Sequence, residues 1–135
     1  MSDESHHQGR PIRPEERAIL LALLDAPTEV VNEQLRTCLV DDMADGGMGS
    51  IRFVPSPGES TVFGEVVAEA EYLDTDGVVV SIVVNVDKRG NLFELDFWKV
   101  DFSPLCQYPT PDRLVLKPLQ KRANQVGEQK GPRSD

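Results

Sequence analysis

Apolar and polar positions alternate most regularly between Glu65 and Asp101. Three strand-like runs, about Val62 to Leu73, Val78 to Val86 and Leu92 to Val100, are separated there by two tight turns. Directly opposed residues must share a face, and this requirement fixes a register. A three-residue connection Thr75-Asp76-Gly77 sets Tyr72 opposite Val80 and Ala70 opposite Ile82, and a turn centred on Arg89-Gly90 sets Val84 opposite Leu95 and Ile82 opposite Phe97. One face, the inner one, is then apolar. It holds Val66, Ala68, Ala70 and Tyr72, then Val78, Val80, Ile82, Val84 and Val86, then Phe93, Leu95 and Phe97.

Upstream the period changes. Arg13-Pro14-Glu15-Glu16 before the apolar run Ala18 to Leu24 is a helix start, with proline at the first position and two acids facing the helix dipole. Pro27 ends it, and Thr28 caps a second helix through about Arg36, with Val31 and Leu35 on its buried stripe. Thr37 to Met43 and Ser50 to Val54 flank a glycine-rich connection and read as a hairpin. The pattern predicts an α+β domain in which two N-terminal helices pack on one face of an antiparallel meander of about five strands. The domain spans 14–116, between an N-terminal tail, 1–13, and a basic C-terminal tail, 117–135, both expected to be disordered.

The outer face carries the chemistry. Glu69 and Asp96 fall on opposite sides of Val83, Glu71 and Trp98 on opposite sides of Ser81, and Val67 and Glu94 on opposite sides of Asn85. Acids on the solvent side of a sheet keep it wet and discourage edge pairing, which is the bland reading. Carboxylates two strands apart start from backbones roughly 9–10 Å apart, a spacing also compatible with an inverting glycosidase pair. Trp98 is harder to explain. Phe97 and Trp98 point to opposite faces of a regular strand, so either the segment from Asp101 to Asp112 folds back over the indole, or a bulge turns both rings inward, or the indole is an interface anchor among charges.

Composition narrows the function classes. The formal charge is −9 over 135 residues, and the last 19 residues are basic, leaving the preceding 116 at −12. Nucleic acid and anionic membrane surfaces demand a cationic face, so neither is an expected partner. No run reaches the ~18 apolar residues of a membrane span and the acidic start is not a signal peptide, which predicts a soluble cytoplasmic protein. Cys38 and Cys106 lack metal-binding spacing and are expected as free thiols.

No cofactor or metal site is expected. Asp74-Thr75-Asp76-Gly77 resembles the beginning of a calcium loop, but residues 78–84 supply no later carboxylate, and a hairpin turn explains it better. His6 and His7, the only histidines, fall in the N-terminal tail. A Ser103–Lys99 dyad is conceivable, but a strand-end Ser-Pro turn is commoner. Gly46-Gly47-Met48-Gly49 lacks the lysine and helix of a phosphate loop.

The run Glu94-Leu95-Asp96-Phe97-Trp98-Lys99-Val100-Asp101-Phe102-Ser103-Pro104-Leu105, preceded by Glu69-Ala70-Glu71-Tyr72 and Asp76-Gly77, resembles the C-terminal signature of a bacterial family of small uncharacterised proteins, a domain of unknown function. The resemblance implies one domain and no known activity. Acidity, small size and missing catalytic chemistry point to a non-catalytic binding or accessory protein, an inhibitor or immunity-type partner of a basic protein, with Glu69, Glu71, Glu94, Asp96 and Trp98 as binding residues. The alternatives are a hydrolase using the outer-face acids, which would need raised carboxyl pKa values in a closed cleft, and a structural homodimer covering the Trp98 face.

Overall fold

A computed structural model of the chain describes residues 9–119. Two helices, α1 (Pro14–Leu23) and α2 (Glu29–Thr37), accompany seven strands: β1 (Arg10–Pro11), β2 (Leu39–Asp42), β3 (Ile51–Phe53), β4 (Phe63–Leu73), β5 (Val79–Asp87), β6 (Leu92–Lys99) and β7 (Val115–Lys117). All pair antiparallel in one sheet of order β1-β2-β3-β6-β5-β4-β7. The five expected strands are present. The short edge strands β1 and β7 are additional: β1 lies in the segment expected as the N-terminal tail, while β7 straddles the expected end of the domain, with only Lys117 in the expected C-terminal tail. Residues 1–8, with His6 and His7, and 120–135 lie outside the described residues, so the expected disorder of the tails falls there.

Local chemistry sets the helix ends. Pro14 opens α1, and the Glu16 carboxylate accepts the Arg13 backbone N–H at 2.9 Å. The Thr28 hydroxyl accepts the Val31 N–H at 3.2 Å, capping α2 as the sequence predicts. Apolar side chains of both helices, Ile19, Leu20, Leu23, Val31 and Leu35, belong to one buried cluster with Ala70, Tyr72, Val80, Ile82, Val84, Leu95 and Phe97 of the sheet. Arg10 ties β1 into place. Its guanidinium donates to the buried Glu16 carboxylate at 2.8 Å and to Asp42 at 2.7 Å. No helix among the described residues is long and apolar enough to cross a membrane.

The proposed register holds from Tyr72↔Val80 to Ala70↔Ile82, and from Ile82↔Phe97 to Val84↔Leu95. Beyond these pairs, two bulges change it. In β4 the pairing passes from Ala68↔Val84 to Val66↔Asn85, so Val67 is the extra residue and Val66, expected on the inner face, turns outward. Against β5 the pairing passes from Asn85↔Glu94 to Val86↔Leu92, so Phe93 is extra and Leu92 takes the buried position expected for it. A third shift surrounds Gly64, where an added Cβ would come within 2.5 Å of the Asp87 carbonyl oxygen, so only glycine fits.

Candidate functional site

Alternation and pairing lay the outer face out in three rows. One runs Asp41, Arg52, Glu94, Asn85, Val66; the next Asp96, Val83, Glu69, Lys117; the last Trp98, Ser81, Glu71, Val115. Glu69, Glu71, Glu94, Asp96 and Trp98 are thus brought onto one surface. Val66, rather than the expected Val67, stands across Asn85 from Glu94, a consequence of the β4 bulge. Glu71 pairs with Lys117 at 3.6 Å, while Glu69 makes no ion pair among the described residues.

Trp98 is 55% exposed. Neither the inward bulge nor the fold-back cover occurs. The segment after β6 crosses the other side, where the Tyr108 ring packs 5.2 Å from Phe97. Phe102 is the ring that meets Trp98, with centroids 5.3 Å apart and planes at 59°, and it is itself 64% exposed. Phe102 reaches this position through a left-handed backbone, φ +66°, an unfavourable conformation for a residue with a side chain. The turn is fixed by the Phe102 N–H donating to the Lys99 carbonyl at 2.8 Å, and by the Asp101 carboxylate accepting the Ser103 N–H at 3.0 Å and its hydroxyl at 2.7 Å.

Beneath the turn lies Lys99, which the sequence offers only as half of a dyad with Ser103. Lys99, with 0% exposure, donates its ammonium to Asp74 at 2.8 Å, to Asp76 at 2.7 Å and to the Pro104 carbonyl at 3.1 Å. Asp74 also accepts the backbone N–H groups of Thr75, Cys106 and Gln107. Burial would raise the Asp74 pKa, but Lys99 and the backbone donors outweigh it and hold the carboxyl down at about 2. Burial alone would lower the Lys99 pKa; the two aspartates push it above its ordinary value. This clamp joins the β4–β5 hairpin to residues 104–107. Since Lys99 is spent on it and Ser103 on Asp101, no Ser103–Lys99 dyad exists.

Asp74, Asp76 and Cys106 are the residues best placed among those described to hold a metal, with ligand atoms within 4.8 Å of one another. The Lys99 ammonium already supplies the positive charge at that point. The Asp-x-Asp-Gly turn therefore makes its hairpin, with Gly77 N–H donating to the Asp74 carbonyl at 2.8 Å, and turns its carboxylates on a lysine.

The carboxyls on the outer face differ from one another. Desolvation, then the neighbouring Glu94 charge, raises the Asp96 pKa to about 6. Glu94 is bridged by Arg52, whose Nε donates at 2.9 Å and whose guanidinium lies 5.5 Å from the Phe93 ring that the bulge turned outward. Asn85 donates to Asp96 at 3.4 Å. A cleft of about 950 Å³ lies at the opposite end of the sheet beside Gln34, Phe53 and Asn91, and none of the five residues of the acidic face lines it. The raised Asp96 carboxyl therefore stands on the sheet face and not in that cleft.

Arg52, Asn85 and Phe102 escaped the sequence reading. Arg52 was recoverable, because alternation between Ile51 and Phe53 places it outward. Phe102 was not, since nothing in Asp-Phe-Ser-Pro announces a left-handed turn. The family model for a domain of unknown function, DUF6984, matches residues 9–109, and the chain belongs to that family. No curated protein and no solved structure matches it.

Proposed function

We propose that this DUF6984 chain is a non-catalytic binding protein of the bacterial cytoplasm that engages a basic protein through its outer sheet face, as an inhibitor or immunity-type partner. The exposed Trp98–Phe102 pair among carboxylates carries the reading. Burying two rings supplies the affinity, and Glu69, Glu71 and Asp96 steer a cationic partner and repel phosphate-bearing ones. The reading takes the helices as cover for the inner face, leaving the outer one accessible. It takes Cys38 and Cys106, both free, as thiols of a reducing compartment. Backbone strain at Phe102 supports it, because a left-handed non-glycine residue holding an exposed ring costs stability and brings the fold nothing in return. A homodimer through this face is disfavoured, since it would set the acids of one copy against those of the other.

The test is affinity capture from native cells with wild type, Trp98→Ala/Phe102→Ala and Glu69→Gln/Glu71→Gln, followed by kinetics on the captured protein. A basic protein should be retained by wild type and lost from the aromatic variant. The glutamine variant should associate several-fold more slowly at low salt, with the difference vanishing at high salt. The reading fails if the partner binds the aromatic variant unchanged, or if that variant is unfolded by circular dichroism.

A further inference from the structure

Asn85 is 4% exposed, and its carbonyl oxygen has no hydrogen-bond partner among the described residues. Its amide nitrogen donates to Asp96 at 3.4 Å, and in the strand pairing Asn85 stands directly across from Glu94, so the amide lies beside both carboxyls. A buried carbonyl without a donor is an unfavourable arrangement that a ligand's N–H can relieve. Arg52 donates through both Nε and a terminal nitrogen to the same Glu94 oxygen, and the Ser81 hydroxyl of this face lies four residues away along β5. The groups facing Asp96 are Glu94 on its own strand, Glu69 across β5, Arg52 and then Asp41 beyond Glu94, and Lys117 beyond Glu69.

We propose that Asn85, Glu94 and Asp96 form a receptor for a primary ammonium, the lysine side chain of the partner that docks on the Trp98–Phe102 pair. The inference rests on reading this face as a binding surface and names what the surface recognises. An ammonium brings three N–H donors on one compact charge, matching an amide oxygen and two carboxylates. A guanidinium is a flat fork suited to one carboxylate, and a divalent cation would set two positive charges beside the Arg52 guanidinium on Glu94 where an ammonium sets one. Asp96 lies two residues from Trp98 on the same strand, about 7 Å away, so the partner offers a lysine and an apolar side chain at about that separation.

The full chain, labelled for NMR, is titrated with N-acetyl-lysine-N-methylamide, with the norleucine analogue and with calcium chloride. The lysine probe should move the Asn85 side-chain amide and the Asp96 carboxyl carbon in a saturable, millimolar response. Because Asp96 takes up its proton on acidification, affinity should be about tenfold weaker at pH 5 than at pH 7.5. Asp96→Asn, isosteric, should keep the wild-type circular dichroism spectrum and weaken binding at least fivefold. An equal response to norleucine, no saturable change at Asn85, or tighter binding of calcium at the same resonances overturns the proposal. A captured partner that needs Trp98 and Phe102 but binds Asp96→Asn unchanged overturns it too, while leaving the aromatic reading intact. Lysine binding at Asn85 in a chain whose aromatic variant loses no partner does the reverse.

Discussion

Phe102 shows how one residue can be set against its own backbone. A φ of +66° is where glycine is at ease and phenylalanine is not. Phe102→Gly is therefore expected to leave urea stability unchanged or raise it by up to ~1 kcal/mol, despite deleting an aromatic ring, because that ring is mostly in water. A loss above ~2 kcal/mol in urea denaturation would mean that the Trp98–Phe102 contact belongs to the fold rather than to a surface. The same scale explains where alternation misled. Val66-Val67 and Leu92-Phe93 are apolar neighbours, so either member can occupy the inner face, and the sequence carries no vote on which is the bulge. Where the neighbours differ in polarity, as at Ala70-Glu71 and Ser81-Ile82, the register was readable without coordinates.

At the scale of elements, α1, α2 and β2 to β6 were legible because each has several positions voting for one period. The edge strands β1 and β7 have two or three residues each and no alternation to read; they exist because β2 and β4 offer unpaired edges. The Lys99 clamp was illegible for another reason. Its members span positions 74 to 106, and Asp-x-Asp-Gly is already explained by the hairpin it makes. Lys99→Met should lower the thermal midpoint by roughly 10 °C or more, because two carboxylates lose the ammonium they were folded around. Lys99→Met combined with Asp74→Asn should recover part of that loss. If the double variant melts no higher than the single, the ammonium's role is in packing and not in charge compensation.

The whole molecule combines opposed proton couplings. Asp96 is raised to about 6 from an ordinary 3.8, so the native state holds more protons than the unfolded one between about pH 4 and 6, and stability falls as pH rises through that window. Such a shift is worth up to roughly 3 kcal/mol before solvent screening, and about 1 kcal/mol is a fair expectation for a partly exposed pair. Asp74 works the other way. Held at about 2, it contributes stability above pH 4 that is lost as pH falls toward 2, and Asp42, Asp76, Asp101 and Asp112, also lowered by their hydrogen-bond partners, act in the same direction. The stability of the full chain should thus peak near pH 5 and decline on both sides. Asp96→Asn should flatten the alkaline side and leave the acid side as it was, a difference read directly from urea midpoints between pH 3 and 8. A variant profile parallel to wild type across pH 4 to 6 would show that Asp96 titrates as a solvated acid.

The sheet order has a consequence for how the chain is made. β3 finds its second neighbour in β6, so Ile51–Phe53 must wait for Leu92–Lys99, roughly 40 residues later. At the usual pace of a ribosome that is on the order of 2–8 s with an open strand edge. Until then the first hairpin and both helices have nothing complete to lean on. The stretch that closes the gap, β6 and the turn after it, also carries Trp98 and Phe102. The face proposed here for a partner therefore comes into being as β6 joins β3 to β5, and a nascent chain that stalls short of residue 92 has neither.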